Sequence, residues 1–342
     1  MTNENDNKPA DPLNVDADQT SAGSSRRDFF KVAAAGAVVA TAASQLVSDK
    51  ASADSRGNSR SVLARSKNDK RRRILLKGGI VLSMDRAVGD FWKADVLVEG
   101  TKIKAVGPNL SASGAIVIDA SNMIVMPGFV NTHHHQFQAN IRSYYADAYY
   151  FASNLYPGTG YGASNARGGI FEKYTPEDAY LGEYMGAVAS LSHGVTTVCD
   201  MSQVNITPAH TDACIAAIRK SGQRSVFAYS NGAGAAADGP NYAYPQDLRR
   251  LKTQYYSSTD QLMTLALNTG ANAANYAMAR ELGVPIFGHV NNAATGMAVE
   301  PLLGPDCTYA HCMGLNDSTW RKFVDQNVKV SFCPVTEPTV AN

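Results

Sequence analysis

The chain is poor in cysteine, in net charge and in long apolar runs. Five cysteines in 342 residues are too sparse for a disulfide scaffold, and an odd number leaves at least one unpaired. Lysine and arginine total 31 against 30 acidic residues, a formal charge of +1. Without a cationic excess the chain lacks the electrostatic footprint of a nucleic-acid-binding protein. Its most apolar stretch, Val32 to Val47, is mild and Ala-rich and falls short of the ~20 residues a bilayer-spanning helix needs. No stable membrane span is expected. What is present is 44% hydrophobic against 18% charged residues, a balance that supports a folded chain with a sizeable core.

That composition is not uniform. Residues 1–24 are polar and acidic without hydrophobic periodicity, the pattern of a disordered segment. Ser25-Arg26-Arg27-Asp28-Phe29-Phe30-Lys31 then precedes the mild apolar run, and Ala40-Thr41-Ala42 and Ala51-Ser52-Ala53 offer small-residue cleavage sites. Residues 1–53 resemble a twin-arginine signal peptide. The resemblance implies recognition by the twin-arginine export machinery and an exported protein, periplasmic or extracellular. A basic Ser/Arg-rich linker follows over 54–73, and its Arg71-Arg72-Arg73 reads as a solvated charge run.

From residue 74 the pattern changes to short strands at 74–76, 80–82, 94–98, 102–106 and 115–118, with a hairpin turn at Val98-Glu99-Gly100-Thr101-Lys102. This predicts a small β unit over 74–123, part of a β-sandwich, too small to be stable alone. Over 124–342 strands alternate with helices. The strand candidates are 124–131, 195–199, 225–229, 263–267, 284–289, 307–311 and 328–333. Thr175-Pro176-Glu177-Asp178 marks a helix start, with Leu181, Tyr184, Met185, Val188 and Leu191 spaced as its apolar face. Further helices are expected over 209–220, 271–282 and 318–326. Such alternation builds a parallel sheet, and seven strands in one run predict an α/β fold, a (β/α)8 TIM-type barrel lacking its last unit.

The seven histidines are the most informative residues. His133 and His135 sit at the end of the first barrel strand, and their i, i+2 spacing turns both to one side. Two imidazoles so placed make a compact pair of nitrogen donors for Zn²⁺ or Fe²⁺. His289 ends the fifth strand and His311 the sixth. In a parallel barrel these ends converge on one face, so four histidines meet there and a metal centre is expected. His193 and His210 read as ordinary structural residues.

Met126-Pro127-Gly128-Phe129-Val130-Asn131-Thr132-His133-His134-His135, the preceding Ala94-Asp95-Val96-Leu97-Val98-Glu99-Gly100-Thr101-Lys102-Ile103 and Gly194-Val195-Thr196-Thr197-Val198-Cys199-Asp200 together resemble the amidohydrolase superfamily. The branch they resemble contains cytosine and guanine deaminases and triazine hydrolases. The resemblance implies one divalent metal ion, Zn²⁺ or Fe²⁺, on His133, His135 and His289, with His311 either lying behind the metal's ligands or polarising the attacked group. The fourth strand, residues 262–268, carries no lysine, which disfavours the binuclear, carboxylated-lysine branch.

Two positions depart from the pattern. Asn292 stands three residues after His289, where deaminases of this branch carry a glutamate. Glu337, after the seventh strand, is the nearest acidic candidate on the active face and, with His311, a candidate catalytic residue; a solvated loop carboxylate is its other reading. The family's Asp-bearing eighth strand is not reached by Asn342, so the chain reads as C-terminally truncated. Asp200 reads as a structural hydrogen-bonding residue, and Cys199, Cys312 and Cys333 as apolar filler. The aromatic and glycine-rich segment 140–174 is either a lid over a flat substrate, packing at the barrel rim, or an interface between copies in a homo-oligomer. The expected activity is metal-dependent hydrolysis of a non-peptide carbon–nitrogen bond in a cyclic or heteroaromatic small-molecule substrate. The alternatives are a deaminase or dechlorinase of nucleobase- or triazine-like rings, and a truncated, non-catalytic remnant or pseudoenzyme.

Overall fold

A computed structural model describes residues 72–142, 169–232, 242–334 and Glu337. The export segment 1–53, nearly all of the linker and most of the aromatic segment 140–174 lie outside the described residues. The chain divides into two compact units, residues 1–126 and 127–342.

The first unit holds β1 (Arg73–Leu82), β2 (Asp90–Glu99), β3 (Lys102–Gly107), β4 (Ile116–Asp119) and β5 (Ile124–Val125) in one sheet of order β3-β2-β1-β4, with β5 also pairing β1. The strands expected at 74–76 and 80–82 are one strand, with register shifts on either side of Gly79. Val81, Ala94 and Val96 form its buried core. Buried Asp95 accepts the Gly78 and Leu110 amides at 2.8 and 2.9 Å, satisfying loop donors that burial would otherwise orphan. A second sandwich layer is not seen among the described residues. The stretch 124–131, expected as one strand, is divided: Ile124–Val125 joins β1, and Pro127, which has no N–H to give a ladder, separates it from the next strand.

The second unit is a seven-stranded parallel sheet: β6 (Phe129–His134), β7 (Val195–Ser202), β8 (Arg224–Tyr229), β9 (Met263–Asn268), β10 (Ile286–Val290), β11 (Cys307–His311) and β12 (Lys329–Ser331), each beside its predecessor. The outermost strands meet side chain to side chain, Thr132 Oγ1 lying 2.6 Å from Ser331 Oγ, so the sheet curls into a nearly closed barrel. The helices are α1 (Pro176–Ser192), α2 (Pro208–Ser221), α3 (Leu248–Gln254), α4 (Ala273–Glu281), α5 (Ala293–Val299) and α6 (Asp317–Asp325). Strand alternation sorts the core. Phe227, Tyr229, Leu265, Leu267, Ile286 and Tyr309 pack with helix residues such as Ile215, Ile218, Leu251, Tyr276 and Phe323. The intervening Cys199, Met201, Ala228 and Ala266 form a separate cluster. Each fully buried large side chain is worth about 1.5–3 kcal/mol.

Helix α1 begins as its sequence predicts: Thr175 caps it in a reciprocal box with Asp178, and Pro176 opens it. Its packed face is not the predicted one. Leu181, Met185 and Val188 are exposed, whereas Ala179, Gly182, Glu183, Gly186 and Ala187 are buried. Close approach overrides the apolar spacing here. A short 3₁₀ turn, Gln136–Ile141, follows β6 directly and lies against α1. A Cβ on Gly182 would stand 2.3 Å from the Phe137 carbonyl oxygen, and one on Gly186 2.8 Å from that of Gln136. Only glycine lets helix and turn meet, and the turn carries on from His135. Phe171 and Tyr174, the described aromatics ending the 140–174 segment, are buried beside this turn; the Phe137 and Phe171 ring centroids are 5.1 Å apart.

The same face brings Glu183 to β7. Ser202 donates to Glu183 at 3.1 Å, and Asp200 accepts the Gln136 amide at 3.1 Å. Both carboxyls are fully buried. Burial first, and then the Asp200 charge, holds Glu183 well above the carboxylate range. Burial pushes Asp200 up to about 7 against the pull of the Gln136 amide.

Two outcomes are expected. Gly182→Ala lowers stability by about 1–3 kcal/mol through overpacking against backbone; an unchanged denaturation midpoint would contradict the close approach. The carboxyl pair holds protons in the folded state that the unfolded chain releases, so its stabilising contribution is complete below about pH 4 and is lost as pH rises toward about 7. Relative to the double variant Glu183→Gln/Asp200→Asn, the protein therefore loses stability in urea titrations run from about pH 5 to about pH 8. Parallel pH profiles for the two proteins would refute the shift.

Candidate metal centre

His133, His135 and His289 come together, with one donor atom from each lying within 4.8 Å of the others. Their rings are in contact: His133 has centroid distances of 4.9 Å to His135 and 4.8 Å to His289. β6 and β10 belong to one curled parallel sheet, and that curl unites residues 154 positions apart in sequence.

The tautomer of one ring follows from its neighbour. His135 Nδ1 lies 3.0 Å from the Met201 carbonyl oxygen, which can only accept, so the proton resides on Nδ1 and Nε2 presents a lone pair. That Nε2 stands 3.2 Å from His289 Nε2. Two nitrogens bound to one tetrahedral zinc at about 2.0–2.1 Å each are about 3.3 Å apart, so this spacing fits a shared cation. His133 Nδ1 is buried without a hydrogen-bond partner, an orphan that a cation would satisfy.

The electrostatics agree. Burial, then repulsion from His135, His289 and His311, holds His133 far below the ordinary imidazole range. Burial brings His135 down to about 3 although its Met201 bond opposes this. Burial, then His135 and His311, lowers His289 well below its usual value. All three are neutral imidazoles at neutral pH, the form that binds a metal.

His311 adjoins the group at 4.9 Å from His133 and 5.6 Å from His289, centroid to centroid. Regular alternation on β11 would place it with Tyr309 against the helices. Left-handed backbone at His311 (φ 71°) and Cys312 (φ 53°) breaks the alternation and turns the ring toward His133. Such conformations cost non-glycine residues about 1–2 kcal/mol each, strain of the kind that collects at functional sites. Burial lowers the His311 pKa, and Glu337 opposes the shift.

Glu337 reaches this face. Its Oε1 accepts the Cys333 amide at 2.6 Å and lies 3.5 Å from His311 Nδ1, so it is not a solvated loop carboxylate. Asn292 is committed elsewhere: its side chain caps α5 by accepting the Thr295 amide at 3.0 Å. His210 bonds Thr207 and the Tyr174 carbonyl, and His193 bonds the Ala189 carbonyl; both are structural. All five cysteines are free, yet Cys333 lies with His311 and Glu337, where its donor atom falls within 4.8 Å of theirs. Sequence reasoning missed the roles of Met201, Glu183 and Cys333. Only the Cys333-to-Glu337 spacing of four residues carried a signal.

The amidohydrolase family profile matches residues 124–300, just over half of the chain. Among curated proteins the chain is similar to the 5'-deoxyadenosine deaminase of Methanosarcina mazei, with 24% identity over 294 residues. It is also similar to the 5-methylthioadenosine/S-adenosylhomocysteine deaminase of Symbiobacterium thermophilum, with 28% identity over 302 residues. Each match covers 79% of this chain and 64% of the relative, so the chain spans less than two thirds of those proteins' length. Among solved structures it shares its fold with a mutant atrazine chlorohydrolase from Arthrobacter aurescens complexed with zinc and atraton. That match has a TM-score of 0.65 at 22% identity, covering 78% of this chain and 67% of the other. An adenosine deaminase from Xanthomonas campestris with bound zinc superimposes with a TM-score of 0.58 at 18% identity, over 78% of this chain and 64% of its own. With the family profile extending over more than half of its residues, the chain belongs to the amidohydrolase family.

Proposed function

We propose that this chain carries the metal-binding body of a hydrolase that cleaves a non-peptide carbon–nitrogen bond in a heteroaromatic small molecule. The observation that carries the reading is the convergence of three neutral imidazoles, His135 and His289 presenting Nε2 atoms 3.2 Å apart. These residues fit one divalent ion, Zn²⁺ or Fe²⁺. Such an ion supplies Lewis acidity that lowers the pKa of water and activates it for attack. His311, beside His133, is placed to stabilise charge developing on the substrate. Glu337, beside His311, is the carboxylate available to move a proton from water to the leaving nitrogen. The similarity to adenosine-type deaminases and to a triazine-ring hydrolase supports a ring carbon bearing nitrogen as the site of attack, and makes 5'-deoxyadenosine, 5-methylthioadenosine and atraton the first compounds to assay.

His135→Ala is expected to lose one equivalent of bound Zn²⁺ by elemental analysis and at least about 100-fold in ammonia or amine release. Unchanged zinc content would overturn the ligand set. Zinc retained by the unsubstituted protein with no turnover across purine nucleosides, pyrimidines and triazines would overturn the hydrolase in favour of a binding protein.

Export is the second part of the proposal. Arg26-Arg27, Phe29 and Lys31 ahead of a mild Ala-rich run support twin-arginine transport of residues 1–53 as a signal. Arg26→Lys combined with Arg27→Lys is expected to leave the precursor in the cytoplasm on fractionation; normal export of that variant would contradict the route.

A further inference from the structure

We propose that His311, Cys333 and Glu337 form a second divalent-cation site, of mixed nitrogen, sulfur and oxygen donors, beside the three-histidine site. The proposal deepens the hydrolase reading, because it uses two residues placed there for charge stabilisation and proton transfer.

One donor atom from each of the three lies within 4.8 Å of the other two. Local structure builds this spacing. The Glu337 amide donates to the Cys333 carbonyl at 3.0 Å, while the Cys333 amide donates to Glu337 Oε1 at 2.6 Å. That reciprocal closure draws the ends of one turn together and brings thiol and carboxyl to the same side. The left-handed backbone at His311 and Cys312 supplies the third donor from β11.

An independent observation points to a ligand. His311 is only 6% exposed, and its Nδ1 is buried without a hydrogen-bond partner; Glu337 Oε2 is likewise buried and unpartnered. The His311 Nδ1–Glu337 Oε1 separation of 3.5 Å is longer than an ordinary hydrogen bond. Buried imidazole and carboxylate atoms in native proteins are satisfied by a partner, and a cation coordinated by both would satisfy them together. One imidazole, one thiol and one carboxylate form a borderline-soft set suited to Zn²⁺, with a fourth position left for water or substrate. Binding displaces the thiol proton, and Zn²⁺ is held by the resulting thiolate, the imidazole nitrogen and the carboxylate. While the site is filled, Glu337 cannot carry a proton, so the ion regulates the proposed reaction by occupying its proton carrier.

The test uses the full chain, stripped by chelator and reloaded separately with Zn²⁺ and with Co²⁺. Elemental analysis is expected to find about two ions per chain, and the Co²⁺ form to show a thiolate-to-metal charge-transfer band in the near ultraviolet. Cys333→Ser and Glu337→Gln, each checked for native circular dichroism, should lose one equivalent, and the former should lose the band. His135→Ala should lose the other equivalent and keep the band. Failure of the His135→Ala arm alone would count against the three-histidine site and leave this one standing. One ion per chain with no band, or a band that survives Cys333→Ser, would overturn the second site.

Discussion

Desolvation of four mutually adjacent imidazoles is the constraint on which the site depends. Burial lowers the pKa of all four, and for His133, His135 and His289 repulsion from neighbouring rings about 5 Å away adds to it, while Glu337 opposes the shift at His311. Neutrality alone does not make a donor, because each imidazole still has one protonated nitrogen. The Met201 carbonyl settles the choice for His135 by accepting a hydrogen bond from its Nδ1–H, and the Nε2 lone pair then faces His289 across 3.2 Å. A backbone group on β7 thereby decides which nitrogen lone pair is presented by the side chain that follows β6.

The scaffold around this constraint is built from small residues and buried carboxyls. Gly182 and Gly186 let α1 press onto the backbone of the turn that follows His135. Asp200 accepts that turn's first amide, and Glu183 stands behind it with its own proton. The result is a continuous chain of contacts from helix to turn to strand end, the kind of support that fixes side chains at a site. Function and packing are coupled at these positions, since the groups that orient the histidines also fill the space beneath them.

Much of the fold was legible because its signals are local. The Thr175-Pro176 start of α1 and strands such as Cys307–His311 follow from capping chemistry and apolar runs. The i, i+2 pair His133 and His135 was legible for the same reason, His289 and His311 from their places at the ends of predicted parallel strands, and the resemblance to a known family supplied their separate roles. The face of α1 was not. Leu181, Met185 and Val188 have ideal apolar spacing, yet the packed side is the glycine side, because approach to a neighbouring backbone outweighs the burial of larger side chains. Cys333 likewise read as apolar filler until the turn closed by Glu337 placed its thiol beside His311.

By itself, the sequence determined which elements form and which residue types are available: alternating strands and helices, and histidines at strand ends. Tertiary structure alone decided which of those residues meet and in what protonation state. The curl of one parallel sheet joined His135 to His289 across 154 positions, and a pair of left-handed residues swung His311 out of its strand alternation. A buried carbonyl selected a tautomer. The physical reason is range. Capping, turns and periodicity act over a few residues, whereas desolvation, hydrogen-bond satisfaction and close packing depend on neighbours that only the folded chain assembles.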